Sequence, residues 1–583
     1  MPLPYPLIPC GFFVALTWRP WTRFGQVRND WATIAGIAPE SAGLTGHERT
    51  LMTDAVERRK SWGETFLAFF ERRLIAVLFL GFASGLPLAL TGATLQARLT
   101  EAGADLTTIG FFALVAVAYS LKFLWSPMID RSMPPGPFQK LGHRRGWTLL
   151  FQLLLIVAIS LFGFANPAVS PIATAAMAVL VAFLSASQDI VIDAYRIEVL
   201  DDDQQGAGAA MIQYGYRFGM LASGAGALFV AEYAYRYFAG VDVAAAPGTA
   251  DAEAVNLSWV VTFIAMAALM VVGVLTTLLV REPPNRRPAA PAIEGEAGFA
   301  LRLMAIASMT AAAILAFLAV KKGLTQLDWA TWAINAVATL VAAAVPVTIV
   351  MSLPKPRVGG NRQYEAIHIW LENAVVKPFR EVAKRDGWQL ILLFIVLFKL
   401  GDAVLGNMAT TFYLNIGFTK PEIAEISKIF GLVATLLGVW LGSLMVIKWG
   451  MGKSLLLTGV LQLLSNLMFS WQAHVGNEIN WLYLTIAIEN FTGGMGSAAF
   501  VAYISRLCNL QFTATQYALF SSLAVVGRTV IASPMGGVAE TIGWVDYFLL
   551  STAMAIPGVL LLIFMLRRYP VTIETPAAHI ADD

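Results

Sequence analysis

Two cysteines in 583 residues, Cys10 and Cys508, exclude a disulfide scaffold and a thiolate metal centre. Histidine is almost as scarce. The chain holds five, none inside a long apolar stretch, so a membrane enzyme built on a nucleophile and base, or on a metal, has little to draw on. Charge is the third deficit: 13% of the residues are charged, against about a quarter in soluble domains. With 57% hydrophobic residues, an ordinary soluble protein is excluded. A net charge of +2 gives no excess of positive sign for nucleic acid. The N-terminus lacks the basic n-region and small-residue cleavage site of a signal peptide. Its LIPC is a poor lipoprotein box, because Pro9 occupies the position that needs a small residue.

What the chain has is long apolar runs. A stretch of about 20 residues crosses a roughly 30 Å hydrocarbon core. Such stretches fall near 74–97, 106–126, 147–166, 172–196, 207–233, 257–280, 299–320, 329–353, 388–414, 422–447, 453–472, 481–505, 513–540 and 543–566, about fourteen in all. The pair at 299–353 is Ala-rich and also reads as two interfacial or re-entrant helices. Basic residues recur in alternate loops, from Arg131, Lys140, Arg144 and Arg145 to Arg281, Lys355, Arg362, Lys448 and Arg567. The positive-inside rule therefore puts both termini in the cytoplasm, with Lys321–Lys322 as an exception.

The domain reading follows. Residues 1–60 are a disordered extension rich in Pro, Gly and polar residues, with Met52 an alternative start. Residues 70–281 form a first six-helix bundle, 282–298 a linker, and 299–353 two inserted helices. Residues 354–386 are a cytoplasmic linker in which 363–385 reads as an amphipathic helix; 387–567 form a second six-helix bundle and 568–583 a tail. The halves carry traces of a repeat. GADLTTIG answers GFTKPEIA, LGHRRGWTLL answers WGMGKSLLL, and Arg217 and Arg528 stand at matching depths before small-residue stretches. An all-α polytopic membrane protein of the major facilitator plan is the simplest architecture, with two extra helices between the halves.

Inside this apolar background, SASQDIVIDAYRIEV carries Asp189 and Asp193 one helical turn apart. A charge at the centre of a spanning helix costs about 3 kcal/mol, so these acids are expected to face a polar cavity. Asp189, Asp193, Glu489 and Asp402 are the candidates for a group that exchanges a proton. For Asp193 the plainer alternative is a local pair with Arg196, and for Asp402 a self-neutralising pair with Lys399. Basic groups suited to an anionic ligand are Lys122, Arg217, Lys399 and Arg528. Gln188, Gln96 and Asn490 suit hydroxyls or amides, Ala186 suits close packing beside them, and Tyr119, Tyr195, Tyr216 and Trp125 offer aromatic ring faces. The DR…GHRRG loop places Asp130, Arg131, Arg144 and Arg145 as a gating cluster of ion pairs, against a plain solvated charge cluster.

Taken together, several motifs resemble one family. They are GFASGLPLALTGATLQARLTEAG (81–103), TTIGFFAL and YSLKFLWSPMIDR (within 107–131), GHRRGW (142–147), AFLSASQDIVIDAYR (182–196), GAGAAMIQYGYRFGMLASG (206–224), FKLGDA (398–403), ENFTGGMGSAAFVAY (489–503) and ATQYALFSSLAVVGR (514–528). The chain resembles the muropeptide permeases of the AmpG type along residues 74 to 567. The resemblance implies an inner-membrane, proton-driven importer of N-acetylglucosamine–1,6-anhydro-N-acetylmuramic acid and its peptides, with a link to β-lactamase induction. It implies a glycopeptide substrate, protons and the bilayer as partners, no cofactor or metal, and a monomer. A carrier of another bulky anion, such as acetyl-CoA or a different glycoconjugate, is the alternative. Arg98 departs from the pattern, standing where the family has an aromatic residue after LQA, and is expected to alter the outer vestibule.

Overall fold

A chain this apolar cannot leave backbone groups unpaired in hydrocarbon, and the helix satisfies them within each segment. The computed structural model describes residues 69–104, 112, 115, 117–240, 251–284, 298–325, 331–356, 360–532 and 535–569. The proposed disordered extension, most of the 282–298 linker and most of the C-terminal tail lie outside the described residues. Among the described residues, nine helices are long and apolar enough to cross a membrane.

The first half contains α1 (Arg72–Thr91), α2 (Ala93–Glu101), α3 (Val117–Leu121), α4 (Ser126–Arg131), α5 (His143–Phe164), α6 (Pro171–Val199), α7 (Gln205–Leu221), α8 (Ala227–Ala239), α9 (Ala252–Leu269) and α10 (Val271–Leu279). Between the halves lie α11 (Phe299–Leu324), α12 (Thr331–Ser352), α13 (Arg362–Leu371) and α14 (Lys377–Ala383). The second half contains α15 (Trp388–Leu397), α16 (Leu400–Asn415), α17 (Gly431–Trp449), α18 (Met451–Val475), α19 (Ile479–Arg506), α20 (Thr513–Ala532), α21 (Met535–Ile542) and α22 (Trp544–Arg568).

Several runs that read as single helices are interrupted. A tight 3-10 turn at Lys122–Leu124 separates α3 from α4, where Pro127 takes an early position that needs no amide hydrogen. The 388–414 run breaks at Lys399, which leaves Asp402 in the first turn of α16, where a negative charge meets the positive end of the helix. Wide π-helical segments occupy Ala222–Gly226, between α7 and α8, and Ala424–Phe430, leading into α17.

The halves repeat one packing scheme. In the first, α5 packs on α6 and α9, and α1 on α7; in the second, α18 packs on α19 and α22, and α15 and α16 on α20. The α1–α7 crossing is close because Gly85 faces the main chain of Tyr216 and Gly215 that of Leu78, where an added Cβ would collide with a carbonyl oxygen. The matching turns before α5 and α18 are also alike. Gly142 (φ 98°) and Gly450 (φ 83°) precede these helices in a conformation that other residues rarely adopt. The halves meet along two seams, α7 against α17 and α19, and α4 with α6 against α20.

The inserted helices α11 and α12 pack on each other, and α12 also lies against α20. Met128, Ile306, Met309, Val350, Trp370 and Val375 form one buried cluster that ties this insertion and the α13 segment to α4. Arg302 lies over the Trp370 ring at 5.6 Å.

Arg98 corrects an expectation. It does not reach a vestibule: it is fully buried and donates to the carbonyls of Phe162 and Gly163, each at 2.8 Å. These carbonyls end α5 and have no acceptor role inside the helix, so a buried cation satisfies them and the negative end of the dipole together. Its guanidinium also lies over Phe263 at 5.2 Å.

Candidate functional site

The basic loops mark one face of the protein, and there the halves are bonded together. Arg144 and Asp130 are fully buried and 2.8 Å apart, and Arg144 also holds Glu198 at 2.6 Å. The second oxygen of Asp130 accepts from the backbone N–H and the hydroxyl of Thr515, in the first turn of α20. Arg131 lies over the ring of Phe512 at 5.9 Å. Arg145 stands apart from this network, contrary to its place in the expected cluster. It donates to the carbonyls of Thr277 and Leu278 at the end of α10, while Glu282 accepts from the Arg144 and Arg145 amides and caps α5.

Deeper in, α6 presents a polar stripe because residues four apart share a face. Asp189 is buried and accepts from the Ser84 hydroxyl of α1. One turn on, Asp193 lies 3.9 Å from the Lys122 ammonium and 3.7 Å from Arg196. Arg196 crosses to the second half, donating to the Ser505 hydroxyl at 3.0 Å and lying over the Tyr517 ring at 5.4 Å. Tyr119 and Tyr216 are within electrostatic reach of Asp189. Gln188 is buried and donates to the Ala83 carbonyl at 3.0 Å, so its amide nitrogen holds α6 against α1. Ala186 is fully buried. Trp125 donates to the Ser187 hydroxyl at 3.0 Å, and Tyr195 to the Arg281 carbonyl at 3.2 Å, so neither presents a free polar tip to a sugar. Gln96 is exposed and joins neither this group nor the next.

The second group lies around α16, α18 and α19. Lys399 holds Asp402 at 3.2 Å and also donates to the Gly493 carbonyl; Gln462 of α18 donates to the same Asp402 oxygen. Glu489 accepts from the Asn490 amide at 2.7 Å, and the Thr435 hydroxyl donates to the other end of that amide at 3.0 Å. Arg217 of α7 lines the same cavity as Glu489, which connects this group to the first half. Arg528 belongs to α20, but its side chain lies outside the described residues.

Arg217, Glu489 and Asn490 open onto one cavity of about 410 Å³, within the range of small-molecule sites. Its walls include Tyr413 and Phe469, whose rings stack at 6.2 Å, and the polar side chains of Thr410, Ser427, Lys428 and Thr435. Sequence reasoning missed these. Tyr413 and Phe469 look like any lipid-facing or interfacial aromatic residue, and Lys428 sits near enough to a helix start to pass for a loop charge. Gln462 was findable, as a polar side chain in the middle of an apolar run. The cavity lies on the side of the halves' seam away from the bonded basic face, since its α16 and α7 residues follow the polar groups towards the opposite helix ends.

Residues 73–170 match the acetyl-coenzyme A transporter 1 family. Over 500 residues the chain is 36% identical to the anhydromuropeptide permease of Escherichia coli strain K12, covering 85% of this chain and 81% of that protein. It is 30% identical over 500 residues to the putative transporter AmpG 4 of Rickettsia felis, covering 86% and 98%. In three dimensions it is similar to a major facilitator superfamily proton:xylose symporter, with a TM-score of 0.54 at 12% identity over 88% of this chain and 98% of that one. The helices, the paired halves and the sequence kinship agree: the chain belongs to the AmpG family of anhydromuropeptide permeases, multi-pass membrane transporters of the major facilitator fold.

Proposed function

We propose that this protein imports anhydro-muropeptides across the bacterial inner membrane by proton symport, as a monomer with both termini in the cytoplasm. The observation that supports it most is the cavity in which Arg217, Glu489 and Asn490 meet a Tyr413–Phe469 wall. An arginine suits the lactyl or peptide carboxylate, the ring wall suits a sugar face, and the amide suits the N-acetyl groups. The name of the relative from Escherichia coli points to the same ligand.

Proton coupling needs a carboxylate that is accessible in one state and shielded in another. Asp193 and Asp402 each lie beside a lysine, and Asp189 and Glu489 each accept a hydrogen bond from a neutral donor. The roles of Gln188, Lys122, Tyr216 and Lys399 are then to hold and neutralise these acids, with Arg217, Asn490 and, by the repeat, Arg528 facing the ligand. The Asp130–Arg144 pair and Arg131 would act as the cytoplasmic latch. One charge crossing the membrane is worth about 2.3 kcal/mol per 100 mV. At about 1.4 kcal/mol per tenfold, one net positive charge sustains roughly forty- to fifty-fold accumulation. An anionic ligand carries charge in the opposing sense, so net positive charge moves only when the protons outnumber the ligand's negative charges. Delivery of these ligands to the cytoplasm would supply peptidoglycan recycling and the signal for β-lactamase induction.

The match of residues 73–170 favours a second reading, a carrier of another bulky anion such as acetyl-CoA. Uptake of labelled anhydro-disaccharide into proteoliposomes, with acetyl-CoA as competitor, separates the two. Saturable uptake that acetyl-CoA leaves untouched supports the first; no uptake of the disaccharide contradicts it.

A further inference from the structure

We infer that Lys428 forms a second anion subsite at the mouth of the cavity, which reads the acidic peptide carried by the ligand and not its sugar. The inference rests on the muropeptide reading of the same cavity.

The cavity has depth along the helix axes, and its cations stand at different levels. At the inner level Arg217 of α7 feels Glu489 of α19, and Thr435 of α17 bonds Asn490 of α19. Lys428, Leu432 and Thr435 line the cavity at spacings of four and three, which is one stripe of a helix. Lys428 therefore stands two turns from the Thr435–Asn490 level, about 10 Å along the axis at 1.5 Å per residue. The direction is towards the mouth, because Ala424–Phe430 precedes α17 on the side opposite the basic face. Tyr413, near the far end of α16, and Ile486, near the start of α19, lie on that same side.

The backbone is specialised at this point. Lys428 belongs to the π-helical segment Ala424–Phe430, and Ala225, lining the same cavity from α7's continuation, belongs to another, Ala222–Gly226, while a third, Glu372–Val376, contributes nothing to the cavity wall. Wide turns of this kind redirect side chains and concentrate at functional positions. Ser427 and Lys428, adjacent in sequence, both line the cavity. Among the described residues neither Lys428 nor Arg217 forms an ion pair, and Glu489 is the one acid on the cavity wall. The wall thus carries two cations against one acid.

The axial offset of about 10 Å between Lys428 and the Thr435–Asn490 level matches the span of roughly three extended residues at 3.3–3.6 Å each. In a ligand that bears a stem the lactyl carboxyl is taken up in the amide to the first residue, so Arg217 would meet that amide carbonyl while the free carboxylates of a three-residue stem reach Lys428 and Ser427. A lysine suits this position, because a flexible point charge tolerates stems that differ in detail.

Proteoliposome uptake of two labelled ligands tests the subsite: the peptide-free anhydro-disaccharide and the same disaccharide bearing an acidic tripeptide. Lys428→Ala is expected to shift the ratio of the two KM values about tenfold against the tripeptide form, the scale of one charge-assisted hydrogen bond. Lys428→Arg is expected to restore the ratio. Disaccharide uptake by the same preparation reports that the variant is folded. A ratio unchanged in Lys428→Ala, with both ligands affected equally or not at all, overturns the subsite. If the wild-type protein takes up neither ligand, the muropeptide reading itself falls, and the subsite with it.

Discussion

Asp130 in the first half accepts hydrogen bonds from the backbone N–H of Thr515 at 3.1 Å and from its hydroxyl at 3.0 Å, in the second half. A carboxylate at the first turn of α20 satisfies an amide that the helix cannot and meets the positive end of its dipole. Because Arg144 holds the other Asp130 oxygen and Glu198 in turn, the contact is the end of a buried chain of charges, not an isolated cap. This chain bonds the two halves at the basic face.

Breaking the contact is therefore expected to free the basic face. Asp130→Asn removes a charge from a buried network, and losing one partner of a buried pair costs about 3–5 kcal/mol. Thr515→Ala removes one hydroxyl donor, about 1 kcal/mol. Spin-label distances across the basic face are predicted to lengthen and broaden in Asp130→Asn, and to change less in Thr515→Ala. Unchanged distances in both would show that the contact does not hold the halves.

Arg98 predicts a loss of stability without a change in substrate recognition. Arg98→Ala removes the guanidinium donor from the Gly163 carbonyl and leaves the Phe162 carbonyl only the Ala165 amide at 3.3 Å, a buried carbonyl left unsatisfied being worth about 1–3 kcal/mol. The thermal midpoint in detergent is expected to fall by several degrees, while KM for the ligand stays as in the wild type. A large rise in KM at unchanged stability would restore Arg98 to the vestibule.

Arg217 carries the sharpest prediction for binding. Removing a charged donor to a carboxylate is worth about 1.5–3 kcal/mol, so Arg217→Ala is expected to raise KM by roughly ten- to a hundredfold. Arg217→Lys keeps the charge but not the bidentate fork and is expected to recover part of the loss. Radiolabelled uptake titrated with substrate checks both; equal KM values in all three proteins contradict the assignment.

Glu489 separates binding from coupling. Glu489→Gln keeps the hydrogen-bonding shape beside Asn490 and removes the exchangeable proton. Substrate counterflow, which needs no net proton movement, is expected to continue in this variant while gradient-driven accumulation is lost. If both persist, Glu489 is not a coupling group; if both vanish, it serves ligand binding or structure.

The helical architecture was legible because apolar length and loop charge are properties of each segment alone. The repeat was legible for the same reason in its turns, where Gly142 and Gly450 mark the same backbone geometry. Asp189 stood out because a carboxylate in an apolar run has few explanations. What the sequence could not convey was partnership across distance. Arg98 looked like a vestibule charge until the end of α5 supplied its acceptors, and Gln96, on the neighbouring turn, remained exposed. Arg145 sits beside Arg144 in sequence yet serves a different helix end. Tyr413, Phe469 and Lys428 acquired meaning only when α16, α18 and the π-helical segment before α17 brought them to one wall.

Coupled import itself is tested most directly by uptake of labelled anhydro-disaccharide into proteoliposomes with and without an imposed inward proton gradient. The wild type is expected to accumulate the ligand above its external concentration only with the gradient, and to lose it on addition of a protonophore. Asp189→Asn and Asp193→Asn are expected to abolish that accumulation. Accumulation that is indifferent to the gradient, or that both variants sustain at the wild-type level, would contradict the account.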